Sequence, residues 1–257
     1  MQDTDLQLIA VKTKGFALVE KVIEPEDVSI TRSLLQTCIE EDLQAWEGRE
    51  YIDKWMVHNL MMRGLPFVRL LENEKMHSYL SALLGDTCIL YAYTSSSMPP
   101  MGTNYSHRIH VDCPRVIDGY ITNVGVMIAL DDFTPENGAT YFLPNSYTRL
   151  EPPTESEFFQ GAEQVYPKAG DAVIFNARTW HMGGINQTET PRHAVTLNVC
   201  RSYMRQRFDY PRLVNSEVMG VLGDVGKRFL GFNVRMPSSL DEYYLPEAER
   251  LYKANQG

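Results

Sequence analysis

The stretch Ser106-His107-Arg108-Ile109-His110-Val111-Asp112 alternates polar and apolar side chains in the manner of a strand. Side chains two residues apart in an extended chain point to the same face. Arg108, His110 and Asp112 are therefore expected on one face, with Ile109 and Val111 on the other. An imidazole and a carboxylate on one face offer ligands to adjacent corners of a metal ion. A third ligand must come from a neighbouring strand, and His181 is the candidate. An isolated His-x-Asp is common, and a lone histidine on an apolar strand is more often a hydrogen-bonded core residue. The surroundings of His181 tip the balance.

Gly170-Asp171-Ala172-Val173-Ile174-Phe175-Asn176 reads as a turn followed by a short apolar strand. The loop from Ala177 to Trp180 then delivers His181, and Gly183-Gly184 turns the chain. From Arg192 to Val199 the alternation returns. Arg192, Ala194, Thr196 and Asn198 fall on one face, which is small and polar with a cation at its start; His193, Val195, Leu197 and Val199 form a packing face. The polar face suits a pocket for an anion. Two histidines and one carboxylate on one side of a metal form the facial donor set of non-haem Fe(II) oxygenases, with the remaining positions open.

The ordered set His-x-Asp, then Gly-Asp and an apolar strand, then Trp180-His181-Met182-Gly183-Gly184-Ile185-Asn186, then Pro191-Arg192 resembles the phytanoyl-CoA dioxygenase family. The arginine lies eleven residues after the histidine. Asn137-Gly138-Ala139-Thr140-Tyr141-Phe142-Leu143-Pro144-Asn145-Ser146 resembles another strand of that family, departing from it at Asn145 and Tyr147, where Gly and His are usual. Gly15-Phe16-Ala17-Leu18-Val19-Glu20 resembles its N-terminal opening, so the likeness runs from about residue 14 to 202.

The resemblance implies an Fe(II)- and 2-oxoglutarate-dependent oxygenase. Iron would sit on His110, Asp112 and His181, which are also the catalytic set. The cosubstrate's C1 carboxylate and keto oxygen would take two open positions and O2 the third. Succinate and CO2 are the expected by-products of oxidising a C–H bond. Arg192 is expected on the distal carboxylate, because a guanidinium fork matches a carboxylate bidentately. Thr94 and Thr140 are further candidates for the cosubstrate; Arg108, Trp180 and Met127 are candidates for the substrate. Tyr91 and Tyr93 alternate with Thr94, so at most one set should line a pocket. Related halogenases lack the carboxylate ligand; Asp112 favours hydroxylation, with desaturation, epoxidation or cyclisation as variants on the same iron.

The chain has 257 residues, 44% of them hydrophobic and 22% charged, the profile of an ordinary soluble domain with a sizeable core. A net charge of −9 argues against nucleic acid or anionic membrane as partners. Cys38, Cys88, Cys113 and Cys200 show no framework spacing and read as free thiols in a reducing, cytoplasmic compartment. The acidic start Met1-Gln2-Asp3-Thr4-Asp5 does not read as a signal peptide, and no apolar run reaches about 20 residues. A monomer or homodimer binding a small molecule is expected.

One domain is expected, with a helical part over about 1–87, a strand-rich core over about 88–202 and a helical tail over about 203–257. Glu24-Pro25-Glu26-Asp27 marks a helix start; 71–84 reads as a helix ended by Gly85. Short strands punctuated by Pro-Pro, Asn-Gly and Gly-Gly suit a double-stranded β-helix, a cupin-like jelly roll, with helices outside. Met56, Met61 and Met62 read as core or as an adaptable lid. Motifs of serine hydrolases, zincins, P-loops and zinc deaminases are absent. The competing readings are a non-catalytic jelly-roll binding module and an oxygen-independent metal hydrolase.

Overall fold

A computed structural model of the chain describes residues 3–50 and 53–256. Residues 1 and 2 of the acidic start, 51 and 52 of the segment before the methionines, and 257 lie outside the described residues. The chain opens with helix α1 (Asp3–Thr13), strand β1 (Phe16–Val19) and helices α2 (Pro25–Ala45), α3 (Leu65–Leu70) and α4 (Glu74–Leu84). Strands β2 (Ile89–Ser95), β3 (Asn123–Ala129) and β4 (Tyr141–Phe142) follow, then helix α5 (Glu155–Gly161). Next come β5 (Glu163–Gln164), β6 (Ala172–Asn176), β7 (His181–Met182) and β8 (Ala194–Cys200). Short helices α6 (Tyr210–Leu213), α7 (Ser216–Val221), α8 (Asp224–Phe229) and α9 (Leu240–Tyr243) make the tail.

The local chemistry explains the helices. Pro25 and the acids Glu26 and Asp27 start α2, where a missing N–H costs nothing and negative charge meets the helix dipole. Asn73 caps α4 by accepting from the Met76 N–H, so this helix starts three residues later than the apolar pattern predicts. A Thr154–Glu157 capping box starts α5.

The strands form two antiparallel sheets, one ordered β1-β6-β3-β8-β2 and one ordered β5-β4-β7, and they do not close into a barrel. Central β3 is buried along its whole length, as a strand covered on both faces must be. On one face Val124, Val126, Ile128, Leu197 and Val199 meet α2, α3, α4 and the tail in the main core. On the other, Met127, Val173 and Phe175 meet Phe142 of the small sheet. Tyr210, Val218 and Phe229 bury themselves in the main core, so the tail packs on the sheet's helical side. All four cysteines are free and buried.

Two local readings of the sequence change. Ser106–Asp112 is not a strand: its one ladder contact is a bridge in which His110 and His181 exchange both backbone hydrogen bonds, at 3.0 and 2.9 Å. Asp112 and Cys113 N–H groups instead both donate to the Ala177 carbonyl. On β2 the register shifts between Leu90 and Ala92. This bulge breaks the alternation, so Tyr91 comes to the same side as Ala92 and Thr94 while Tyr93 stays in the core.

Candidate active site

The bridge between His110 and His181 ties a loop to the edge of the small sheet and brings the three candidate ligands together. One ligand atom each from His110, Asp112 and His181 lies within 4.8 Å of the others. Asp112 Oδ1 is 3.6 Å from His110 Nε2 and 3.8 Å from His181 Nε2. Each imidazole donates its Nδ1–H to a carbonyl oxygen two residues earlier in the chain, His110 to Arg108 at 2.8 Å and His181 to Thr179 at 2.9 Å. That fixes both tautomers and leaves both Nε2 lone pairs for a metal.

The environment keeps these groups in binding form. The His181 ring lies 5.5 Å from Phe142 in a stacked arrangement and 5.1 Å from Phe175. Burial, with His110 beside it, depresses the His181 pKa to about 4, so the imidazole is neutral at pH 7. Burial alone would raise the Asp112 pKa, but the two imidazoles and Arg108 beside it outweigh that and hold it below the usual carboxylate range. Gly125 is what lets Phe175 sit there: a Cβ would lie 2.1 Å from the ring. A neutral imidazole and an ionised carboxylate are the species a divalent cation takes.

The triad opens on a cavity of about 290 Å³. Thr94, Thr140, Met127 and Arg108 line it, as do Thr196 and Asn198 from β8. Thr140 donates from Oγ1 to the Met127 sulfur at 3.6 Å. The Arg108 guanidinium lies over the Tyr105 ring, 4.0 Å from its centre. Met56 lines the cavity, whereas Met61 is core. Trp180 is not among the lining residues. It turns away from its neighbour His181 and packs with Phe158 and Met182 against Ile109 and Val111.

Arg192 is buried behind the cavity at 1% exposure, stacked on Phe133 at 4.1 Å. Its Nη1 donates to the Ser96 carbonyl and its Nη2 to the Gly138 carbonyl, each at 3.1 Å. Its Nε has no partner. Burial lowers its pKa to about 9, so it stays charged at pH 7. Arg192 is not itself among the residues lining the cavity; Ser96, whose carbonyl it holds, and Thr140 are. A buried cation held only by neutral carbonyls, with one donor idle, fits an anionic ligand such as a carboxylate.

Sequence reasoning missed several lining groups. Asp53 and His58, hydrogen-bonded at 3.0 Å, lie in an irregular segment with no periodic signal. Phe142 and Phe175 were legible as apolar strand residues but not as the walls of His181. Arg207 was legible only as a basic residue of the tail.

The sequence profile of the family described as phytanoyl-CoA dioxygenase (PhyH) matches residues 11–194. The chain is 32% identical over 257 residues to the uncharacterized protein Rv1501 of Mycobacterium tuberculosis, covering 96% of this chain and 94% of that one. Against dioxygenase sphC of Aspergillus fumigatus it is 24% identical over 252 residues, covering 88% of this chain and 67% of that one. The structure of the epimerase SnoN in complex with Fe3+, alpha ketoglutarate and nogalamycin RO superposes with a TM-score of 0.61 at 18% identity. That likeness covers 77% of this chain and 83% of SnoN, and it shows a shared fold. Among the described residues no helix is long and apolar enough to cross a membrane. With the motifs, the fold and a profile match over most of its length in agreement, the chain belongs to the phytanoyl-CoA dioxygenase (PhyH) family.

Proposed function

We propose that this protein is an Fe(II)- and 2-oxoglutarate-dependent oxygenase that hydroxylates a C–H bond of a small-molecule substrate. The observation that carries this reading is the convergence of His110, Asp112 and His181 on one cavity with the idle Nε of Arg192 buried behind it. Two imidazoles and one carboxylate are the donors of the facial triad. With iron and 2-oxoglutarate bound, the site supplies oxidative decarboxylation of the oxoacid by O2, coupled to oxidation of the substrate.

The chain's own part is positioning and exclusion. Carbonyls of Arg108 and Thr179 aim the two imidazoles. Phe142 and Phe175 keep water from the His181 ring. Arg192 would hold the far carboxylate of the oxoacid, and Thr94 and Thr140, which line the cavity, would offer it hydroxyls. The open side of the cavity, toward Tyr91, Met56 and Arg108, is left for the substrate.

Succinate release from 2-oxoglutarate with Fe(II) and O2 tests the reading, with and without a panel of small molecules. Wild type is expected to release succinate and His181→Ala to release none. Equal, negligible release by both proteins across the panel favours the non-catalytic module. Turnover of any substrate without O2 favours the hydrolase.

A further inference from the structure

The cavity holds two cations that the proposed reaction does not use. Arg108 and Arg207 both line it. Neither guanidinium has a hydrogen-bond acceptor or ion-pair partner among the described residues. Several other arginines of this chain end on oxygen, among them Arg63 on Glu41 and Asp42, Arg178 on backbone carbonyls and Arg149 on Glu157. Two unpaired arginines thus line one cavity on a chain whose net charge is −9.

Arg108 has its guanidinium over the Tyr105 ring, 4.0 Å from the ring centre. The Arg207 backbone N–H donates to the Tyr91 carbonyl at 3.0 Å, which pins the start of the tail to the bulge of β2. Gln206 does the same next door, donating to the Leu90 carbonyl at 2.8 Å. The tail thus carries one cation to the cavity from the far end of the sequence.

The charges of the loaded site sharpen the point. This step rests on the proposed cofactors. The two positive charges of iron and the one of Arg192 are matched by Asp112 and the two carboxylates of 2-oxoglutarate. Arg108 and Arg207 then face only one further carboxylate of the lining, Asp53, and His58 Nε2 already sits 3.0 Å from it. The part of the cavity left for substrate therefore carries net positive charge.

We infer that the substrate is a small oxyanion, a carboxylate or phosphonate, whose charged group is held by Arg108 and Arg207 while the rest of it lies toward the triad. A cavity of about 290 Å³, shared with the oxoacid, limits the enclosed part to a few carbon atoms or a single ring. A charge-assisted hydrogen bond contributes about 1.5–3 kcal/mol, roughly 10- to 150-fold in affinity.

The test uses the anaerobic protein loaded with Fe(II) and saturating 2-oxoglutarate, so that no turnover is needed. Binding of butyrate, phenylacetate and propylphosphonate is read by ligand-observed NMR, with butyramide and phenylacetamide as uncharged partners. The expected result is saturable binding of at least one acid, at least tenfold tighter than its amide and weakened by added NaCl. Arg108→Gln and Arg207→Gln are each expected to weaken it about tenfold, with 2-oxoglutarate binding measured in parallel and unchanged. Amides binding as well as acids, no acid binding at all, or acid binding indifferent to both substitutions would each overturn the inference. Failure of wild type to bind 2-oxoglutarate would instead overturn the proposed function on which it rests.

Discussion

On β8, Val195, Leu197 and Val199 turn to the helices, whereas Thr196 and Asn198, one residue out of step, turn to the cavity. The same division runs through β3, with Val124, Val126 and Ile128 on one side and Met127 on the other. The helical face is apolar and closed. The cavity face keeps polar atoms without partners: Thr196 Oγ1 and, at its back, Arg192 Nε. Side-chain alternation lets one strand serve both ends, since residues on opposite faces share a backbone but not an environment. Stability should therefore be lost on one face and function on the other.

The largest expected effect on stability is on the helical face. Leu197→Ala should cost about 2–5 kcal/mol by emptying a fully buried site. Chemical denaturation measures it, and any folded variant should keep its affinity for 2-oxoglutarate. On the cavity face, Arg192→Gln removes a buried charge that has no carboxylate partner. It should raise the half-saturating 2-oxoglutarate concentration roughly 10- to 150-fold, about 1.5–3 kcal/mol, with little loss of melting temperature. A large loss of stability with unchanged affinity would erase the distinction between the faces.

Acid should touch both faces. His181 on the cavity side and His193 on the helical side, bonded to Ser97 and Gln36, each have a pKa near 4 because burial disfavours the charged ring. The unfolded chain takes up these protons near pH 6.5. Between the two values the unfolded state binds more protons, so stability falls as pH drops from about 6.5 toward 4 and is flat above. Melting curves of the metal-free protein check this; a plateau through pH 5 would contradict it. Smallest of all, Thr196→Val removes a hydroxyl that is already unpaired, and should leave stability unchanged or raise it by less than about 1 kcal/mol.

The same division explains what was legible in the sequence. The faces of β8 follow from a period of two, and α2 from an early proline followed by acids, because both signals are local. Ser106–Asp112 carries the same period, yet its one β-bridge is at His110. Alternation states a preference, and only a partner strand turns it into a ladder. The bulge that moves Tyr91 into the cavity exists only in the pairing of β2 with β8. Trp180 is adjacent to His181, but successive residues point to opposite sides, which sends it into the cluster with Phe158. Asp53, His58 and Arg207 come from irregular segments where spacing predicts no neighbours.

The account turns on whether one ion binds between His110, Asp112 and His181. Anaerobic equilibrium dialysis of Fe(II) against wild type, Asp112→Ala and His181→Ala measures that directly, with circular dichroism to confirm that each protein is folded. One ion per wild-type chain is expected, and none in either variant. Folded variants that keep the metal, or a folded wild type that takes none, would contradict it.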